Sequence, residues 1–307
     1  MKAFNGYMYE ISGSALFNAK TFKPISKVDP DRAEMFETNI VKLLTTIEED
    51  TEVGKRILRA GGIGRTVAIV PGTIVMARPL HGNAALPKGY KQGPLVGTGE
   101  GSDGVVFVNV SDLNLSMGPA AQKDAILLHE IVHAVRSSNG LLQQVPMGVY
   151  DDLEEFYAVT LANMYVSSKY PGKPLRGDHR LVALHKPDGY DQKAIGLTSQ
   201  PAMLENHLYY FVMTYKEQLL KLNDEMEALC LALKDAKCKF NPFRVLYNGY
   251  DPEVEQKDIP AARRHRGFGP LVRETFAQAA ERTMKNVDLE KSRRMFGGSI
   301  LDSYGGL

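Results

Sequence analysis

Two histidines four residues apart, with a glutamate between them, can serve a common purpose only if the chain around them is helical. His129-Glu130-Ile131-Val132-His133 sits inside the run DAILLHEIVHAVR, residues 124–136. On an α-helix, positions i and i+4 lie on one face a turn apart, so both imidazoles can reach one ion. Zinc takes nitrogen ligands of this kind and, in catalytic sites, keeps one position open. Glu130 stands beside that position, where it can take a proton from a water on the metal, the central step of metal-assisted peptide hydrolysis. The plain alternative is an amphipathic helix that happens to carry two histidines.

The flanking residues favour the first reading. Gly118-Pro119 marks a helix start, because proline is tolerated at the first helical position. Ser138-Asn139-Gly140 marks a stop with a C-terminal glycine. Between them Ala125, Leu128, Val132 and Arg136 recur near helical spacing, so the metal face continues into a packed face. Upstream, residues 105–110 (VVFVNV) predict a strand bounded by Gly104 and Asp112. Placed just before the metal helix, that strand is expected to offer an edge along which an extended peptide can pair.

A catalytic zinc needs a third protein ligand. Residues 150–165 (YDDLEEFYAVTLANMY) predict a second helix with an acidic first turn, favourable against the helix dipole. Glu155 shares its face with Ala158, Val159 and Ala162, small side chains that let the helix approach the metal helix closely. Glu154 shares a bulkier face with Tyr157, Ala158 and Leu161. Glu155 is therefore preferred over Glu154, and Asp178 or His179 would be next. Both glutamates can equally be read as ordinary first-turn acids.

The metal helix, the following Tyr-Asp-x-x-Glu-Glu-Phe-x-Ala-Val segment and the run Leu175-Arg176-Gly177-Asp178-His179 together resemble the NleD-like effector zinc metallopeptidases and their bacterial relatives. The segment TEVGKRIL, residues 51–58, is similar to the short Thr-x-x-Gly-x-x-Leu-Leu helix before their first strand. The resemblance spans about residues 45–180, with gaps. It implies a compact zinc peptidase with a glutamate ligand, an effector or toxin delivered by a specialised secretion system with the help of a chaperone or carrier. A long C-terminal extension sets this chain apart from the small effectors.

Composition fits a globular enzyme: 44% hydrophobic and 24% charged residues in 307, with a net charge of +1. Near-neutrality argues against a nucleic-acid surface. Cys230 and Cys238 are the two cysteines. On one unbroken helix their backbones would stand roughly 12 Å apart, too far for a disulfide, so free thiols and a reducing compartment are expected. The N-terminus lacks an apolar signal core and no stretch approaches a membrane span, which predicts synthesis in the cytoplasm without a signal peptide.

The expected fold is α+β. Residues 1–27, weakly patterned, read as an N-terminal arm or strand. Residues 28–200 read as a zincin-like metallopeptidase core with a small sheet on the metal helix. Residues 201–307 read as a mostly helical extension packed on the core. Asp29-Pro30 opens a helix bearing Phe36, Ile40, Leu43, Leu44 and Ile47, and a second short helix ends at Gly61-Gly62. Residues 66–70 and 73–76 are strand candidates separated by Pro71-Gly72. Residues 80–104 read as a long loop near the cleft. Residues 201–237 read as one helical run with Leu204, Leu208, Phe211, Val212, Tyr215, Leu219 and Leu222 as its stripe. Residues 239–262 read as a polar connection, Arg263–Arg266 as a solvated basic turn in preference to a docking site for an acidic partner, and residues 270–285 as a last helix.

The chemistry expected is zinc on His129, His133 and Glu155, with Glu130 as the base that passes its proton to the leaving nitrogen. His179 is the candidate for stabilising the oxyanion, with Asp178 to orient it, or else a structural loop residue. The substrate expected is a protein or peptide. Two rivals remain: a non-catalytic, metal-stabilised binding or secretion-associated protein, and a zinc amidase acting on a cell-wall amide. An intact Glu130 argues against the first, because a structural zinc site needs no base.

Overall fold

The computed structural model describes residues 2–4, 6–79, 97, 99–109, 122–147, 150–171, 173, 175–177, 183–186, 189–190, 207–255 and 266–272. Among them the fold is α+β. The chain begins with β1 (Lys2–Ala3), β2 (Tyr9–Ile11) and the hairpin of β3 (Ala15–Asn18) and β4 (Lys23–Lys27). Residues expected to form an arm or strand supply two strands of the main sheet, with Tyr9 and Ile11 fully buried. Three residues are too few for an alternating pattern to show in the sequence.

Helix α1 (Pro30–Asp50) starts where Asp29 accepts the Asp31 and Arg32 amides, with proline in the first turn. Thr51 ends α1 and caps α2 (Glu52–Arg59), its hydroxyl accepting the Gly54 amide at 2.9 Å. A Cβ at position 54 would lie 2.1 Å from the Ile47 carbonyl oxygen, so glycine permits this close turn.

Strands β5 (Val67–Pro71), β6 (Met76–Pro79) and β7 (Gly104–Val108) complete a five-stranded mixed sheet of order β1-β2-β5-β7-β6. β7 is parallel to β5 and antiparallel to β6. β7 is buried on both faces, and this explains its unbroken apolar run. Val106 and Val108 enter the helical core, while Val105 and Phe107 enter a smaller one with Phe17 and Phe22 of the hairpin. The strand expected to offer an edge is therefore internal. Among the described residues the edge beside it is β6, which starts three residues later than the sequence suggested.

Helix α3 (Lys123–Ser138) carries the histidine pair and is buried on nearly every side. It ends at Asn139-Gly140 as expected, with Gly140 at φ +72°. It begins at Lys123; the proposed start at Gly118-Pro119 lies outside the described residues, as do residues 80–96 of the expected loop. Helix α4 (Leu153–Lys169) is capped by Asp152, which accepts the Glu155 amide at 3.0 Å. Beyond it come strands β8 (Leu175–Arg176), β9 (Ala183–Lys186) and β10 (Gly189–Tyr190).

Two buried polar clusters fix α4 against α3. At one end the Asp124 carboxylate accepts Tyr165 and Tyr170 hydroxyls at 2.6 and 2.7 Å and pairs with Lys169, which also reaches Asp50 of α1 at 2.9 Å. At the other, Arg136 is fully buried and donates from Nε to Glu154 at 2.8 Å. Its Nη2 serves Glu154, the Leu141 carbonyl and Glu225 at 2.8, 2.8 and 2.9 Å, and its guanidinium lies 4.4 Å from the centre of the Tyr157 ring. Burial opposes the charge, but Glu154 and Glu225 outweigh it and hold the guanidinium above its ordinary pKa.

Of the run expected as one helix, residues 201–206 lie outside the described residues, and the rest forms three helices among them, α5 (His207–Thr214), α6 (Lys216–Glu225) and α7 (Glu227–Leu233), broken at Tyr215 and Met226. The breaks let Phe211 stack on Phe156 of α4 at 5.7 Å while Glu225 turns to Arg136. Cys230 and Cys238 are both buried free thiols, but they do not share one helix, because α7 ends between them. The expected polar connection at 239–262 is corrected as well. It contains α8 (Pro242–Asn248) and α9 (Pro252–Glu255), with Phe240, Phe243, Val245, Leu246 and Tyr250 in the core. Pro242 reads as a breaker but occupies the first turn of α8, where its missing amide costs nothing. Buried Asn241 caps that turn and donates to the Leu233, Lys234 and Ala236 carbonyls that end α7. Of the expected last helix, residues 270–272 are described and are not helical, and the rest lies outside. Residues 263–265 of the basic turn also lie outside, and Arg266 is exposed. Among the described residues no helix is long and apolar enough to cross a membrane.

Removing one partner of a buried ion pair strands the other charge at a cost of about 3–5 kcal/mol. Glu154→Ala should therefore lose about that much stability in metal-free protein, measured by urea denaturation, and Glu155→Ala should lose less.

Candidate metal centre

His129 and His133 stand one turn apart on α3, with ring centres 4.9 Å apart and planes nearly perpendicular. Their Nε2 atoms face each other at 3.3 Å. Glu155, in the first turn of α4, closes the group: Oε2 lies 3.1 Å from His129 Nε2 and Oε1 lies 3.5 Å from His133 Nε2. Among the described residues these three form the one group of histidine, cysteine or acidic side chains whose ligand atoms could hold a metal ion. His129 is buried and the other two are partly covered.

The spacing suits zinc. Donors about 2.0–2.1 Å from a tetrahedral ion stand about 3.3–3.4 Å apart; the two imidazole nitrogens are 3.3 Å apart, and each has a different Glu155 oxygen nearby, at 3.1 and 3.5 Å. The donor set of two imidazoles and one carboxylate is the one found in several zinc hydrolases, with a position left for solvent or substrate.

The electrostatics of the group follow from its burial and from the charges held close together. Burial raises the Glu155 pKa, but His133 and the hydrogen bonds from both imidazoles overcome it and hold the carboxyl far below its usual range. Burial lowers His133, yet Glu155 outweighs that and pushes it up to about 9. Burial, then Arg176, take His129 down to about 3. A carboxylate between two inward-facing nitrogens thus retains positive charge in its neighbourhood even without an ion.

The phase of α4 decides which acid faces the histidines. Successive helical residues are rotated by about 100°, so Glu154 and Glu155 cannot both point the same way. Glu154 turns to Arg136 and Gln143, accepting the Gln143 amide at 2.8 Å, and Glu155 turns to the imidazoles. Ala158 and Ala162, on the Glu155 face, are buried as close approach to α3 requires.

Glu130 lies between the histidines and the sheet. The Ala77 backbone amide of the edge strand β6 lies close enough to its carboxylate to favour the charged form. Burial raises the Glu130 pKa and Glu155 adds to the rise, against the opposing pull of His133 and that amide. A carboxylate so placed is a better base than a solvated one.

His179 and Asp178 lie outside the described residues, as do His81 and His265. Arg176, which sequence reasoning named without giving it a role, packs behind the site: its Nη1 is 3.2 Å from His129 Nδ1. No family model, no curated protein and no solved structure matches this chain.

Purified protein should take up about one zinc per chain, read by metal analysis after dialysis. The double variant His129→Ala/His133→Ala should lose it, and Glu155→Ala should bind at least about 10-fold more weakly in competition with a chelator. Full zinc in the double variant would refute the site.

Proposed function

We propose that the protein is a zinc-dependent metallopeptidase with a zincin-like core, hydrolysing a peptide bond in a protein substrate. The observation that carries this reading is the convergence of two imidazoles and a carboxylate beside a fourth group, Glu130, which the ligand set does not need. A binding protein stabilised by metal would have no use for that carboxylate. When bound, the metal polarises a carbonyl and makes a water acidic enough to attack near neutral pH.

The chain's own residues divide the remaining work. His129, His133 and Glu155 would hold the ion, fixed from behind by the packing of α3 on α4. Glu130 takes the proton of the attacking water at its carboxylate and delivers it to the leaving nitrogen. Its carboxylate lies close enough to the Ala77 backbone of β6 for that amide to favour its charged form, which puts the base near the strand edge. An extended peptide pairing along that edge would present its backbone next to the base, a general mode of peptide recognition. The same backbone preference is the argument for a peptide substrate over a cell-wall amide. The further reading as an exported effector or toxin rests on the sequence resemblance to the NleD-like peptidases.

Glu130→Gln removes the base and leaves the ligands. It should keep the fold and about one zinc while losing cleavage by several orders of magnitude, read by mass spectrometry on a proteome-derived peptide library. Equal cleavage by wild type and Glu130→Gln would contradict the mechanism.

A further inference from the structure

The edge strand β6 shows different faces to whatever pairs with it. Ala77 pairs with Val106 and lies on the α3 face, beside Glu130. Met76 and Arg78 pair with Phe107 and Val105 and lie on the opposite face, against the β3–β4 hairpin. Arg78 is partly buried, and its guanidinium carbon stands 5.7 Å from the centre of the Phe22 ring, which packs edge-on against Phe107. Its Nε is shut off from solvent and makes no hydrogen bond, whereas its terminal nitrogens are not shut off in this way. Among the described residues the guanidinium has no ion-pair partner. Asp103, two residues before Val105, turns instead to the Thr66 amide at 2.9 Å.

The surroundings add positive charge and no acid. Residues 11–28 hold Lys20, Lys23 and Lys27 and neither Asp nor Glu, and all three lysines are exposed. Lysines on an exposed hairpin keep its edge from pairing with other chains, and that role accounts for them. It does not account for Arg78. Keeping an unpaired N–H away from water costs stability, and an aliphatic side chain would pack on Phe22 and Val105 without that cost. The packed stem holds a charge in place at the strand edge and leaves its outer fork open.

We propose that Arg78 is the specificity-determining residue of a subsite for an acidic side chain, Asp or Glu, in a peptide that pairs with β6. The proposal rests on the reading of the chain as a peptidase that takes its substrate along this edge. Side chains of an extended peptide alternate between the two faces of a sheet. The residue set against Ala77 brings its backbone beside Glu130, and its neighbour, set against Arg78, sends its side chain to the guanidinium. Directly opposite residues on paired strands have Cβ atoms about 4.5–5.5 Å apart, within reach of a bidentate pair between carboxylate and guanidinium. The acid therefore lies within roughly two residues of the bond that is cut. Lys20 and Lys23 raise the positive potential on the same side and favour further acids towards the hairpin.

The test is binding of fluorescein-labelled, end-capped octapeptides to the full chain carrying Glu130→Gln, so that no cleavage intervenes, read by fluorescence anisotropy. A Val-Glu repeat puts all its acids on one face of an extended strand, and Val-Gln and Val-Lys repeats keep its shape. The Val-Glu peptide should bind about 10-fold more tightly than Val-Gln, and the preference should shrink as salt rises. Adding Arg78→Gln should level the two peptides, and Arg78→Glu should transfer the preference to Val-Lys. A preference that survives in folded Arg78→Gln protein overturns the subsite, and so does failure of every octapeptide to bind. A poly-dT oligonucleotide binding as tightly as Val-Glu overturns it too, because the patch would then be a general anion surface. The peptide library separates this proposal from the peptidase reading: bonds cut by the wild type should have Asp or Glu within roughly two residues. Cleavage without that enrichment defeats the subsite alone. An Arg78-dependent preference for Val-Glu in a chain that cuts nothing supports the subsite and defeats the peptidase reading.

Discussion

A fully buried arginine is the constraint around which the candidate site is organised. Arg136 would cost several kcal/mol to hold in the interior without partners. Its Nε and Nη2 spend their donors on Glu154, Glu225 and the Leu141 carbonyl, and its plane faces the Tyr157 ring. Three helices, α3, α4 and α6, meet at this one charge. None of them can rotate about its axis without leaving an acid or the guanidinium unpaired in a poorly solvated place. The Asp124 cluster holds the opposite end of the α3–α4 contact, so the two helices are fixed in both rotation and slide.

The adjacent glutamates owe their different roles to that constraint. Glu154 is taken by Arg136, and the helical rotation to the next residue carries Glu155 to the imidazoles. The same chemical group serves structure at one position and the site at the next. Asn163, two turns further along α4, extends the control to Arg176 and thereby to the far side of His129. One helix therefore sets Glu155 against the imidazoles, and through a strand it sets the group behind His129.

The local parts of this arrangement were legible in the sequence. The spacing of His129, Glu130 and His133 requires a helix, Asp29-Pro30 announces α1, and Ser138-Asn139-Gly140 announces the end of α3. Ala162 on the Glu155 face, against Tyr157 and Leu161 on the other, distinguishes it from the Glu154 face. What the sequence concealed depended on distant partners. Residues 105–108 look the same whether a strand is internal or at an edge, and only the pairing with β6 decides it. Tyr9 and Ile11 belong to a strand too short for a pattern, and Pro242 looks like a break while starting a helix. Arg136 read as one member of a packed face. The signal that could have revealed its role is a lone arginine on an apolar helix, followed by an acid in the first turn of the next. Arg176 had no such signal, because its place behind His129 depends on the return of β8 to α4. His179 and Asp178, expected to assist the chemistry, lie outside the described residues.

The account stands or falls on where a metal sits. Diffraction from crystals grown with zinc, collected on both sides of the zinc absorption edge, locates the ion independently of any assumed role. The account predicts one anomalous peak bounded by His129 Nε2, His133 Nε2 and a Glu155 carboxylate oxygen, at about 2.0–2.2 Å from each. A peak held by Glu154, or by groups away from α3, would contradict it.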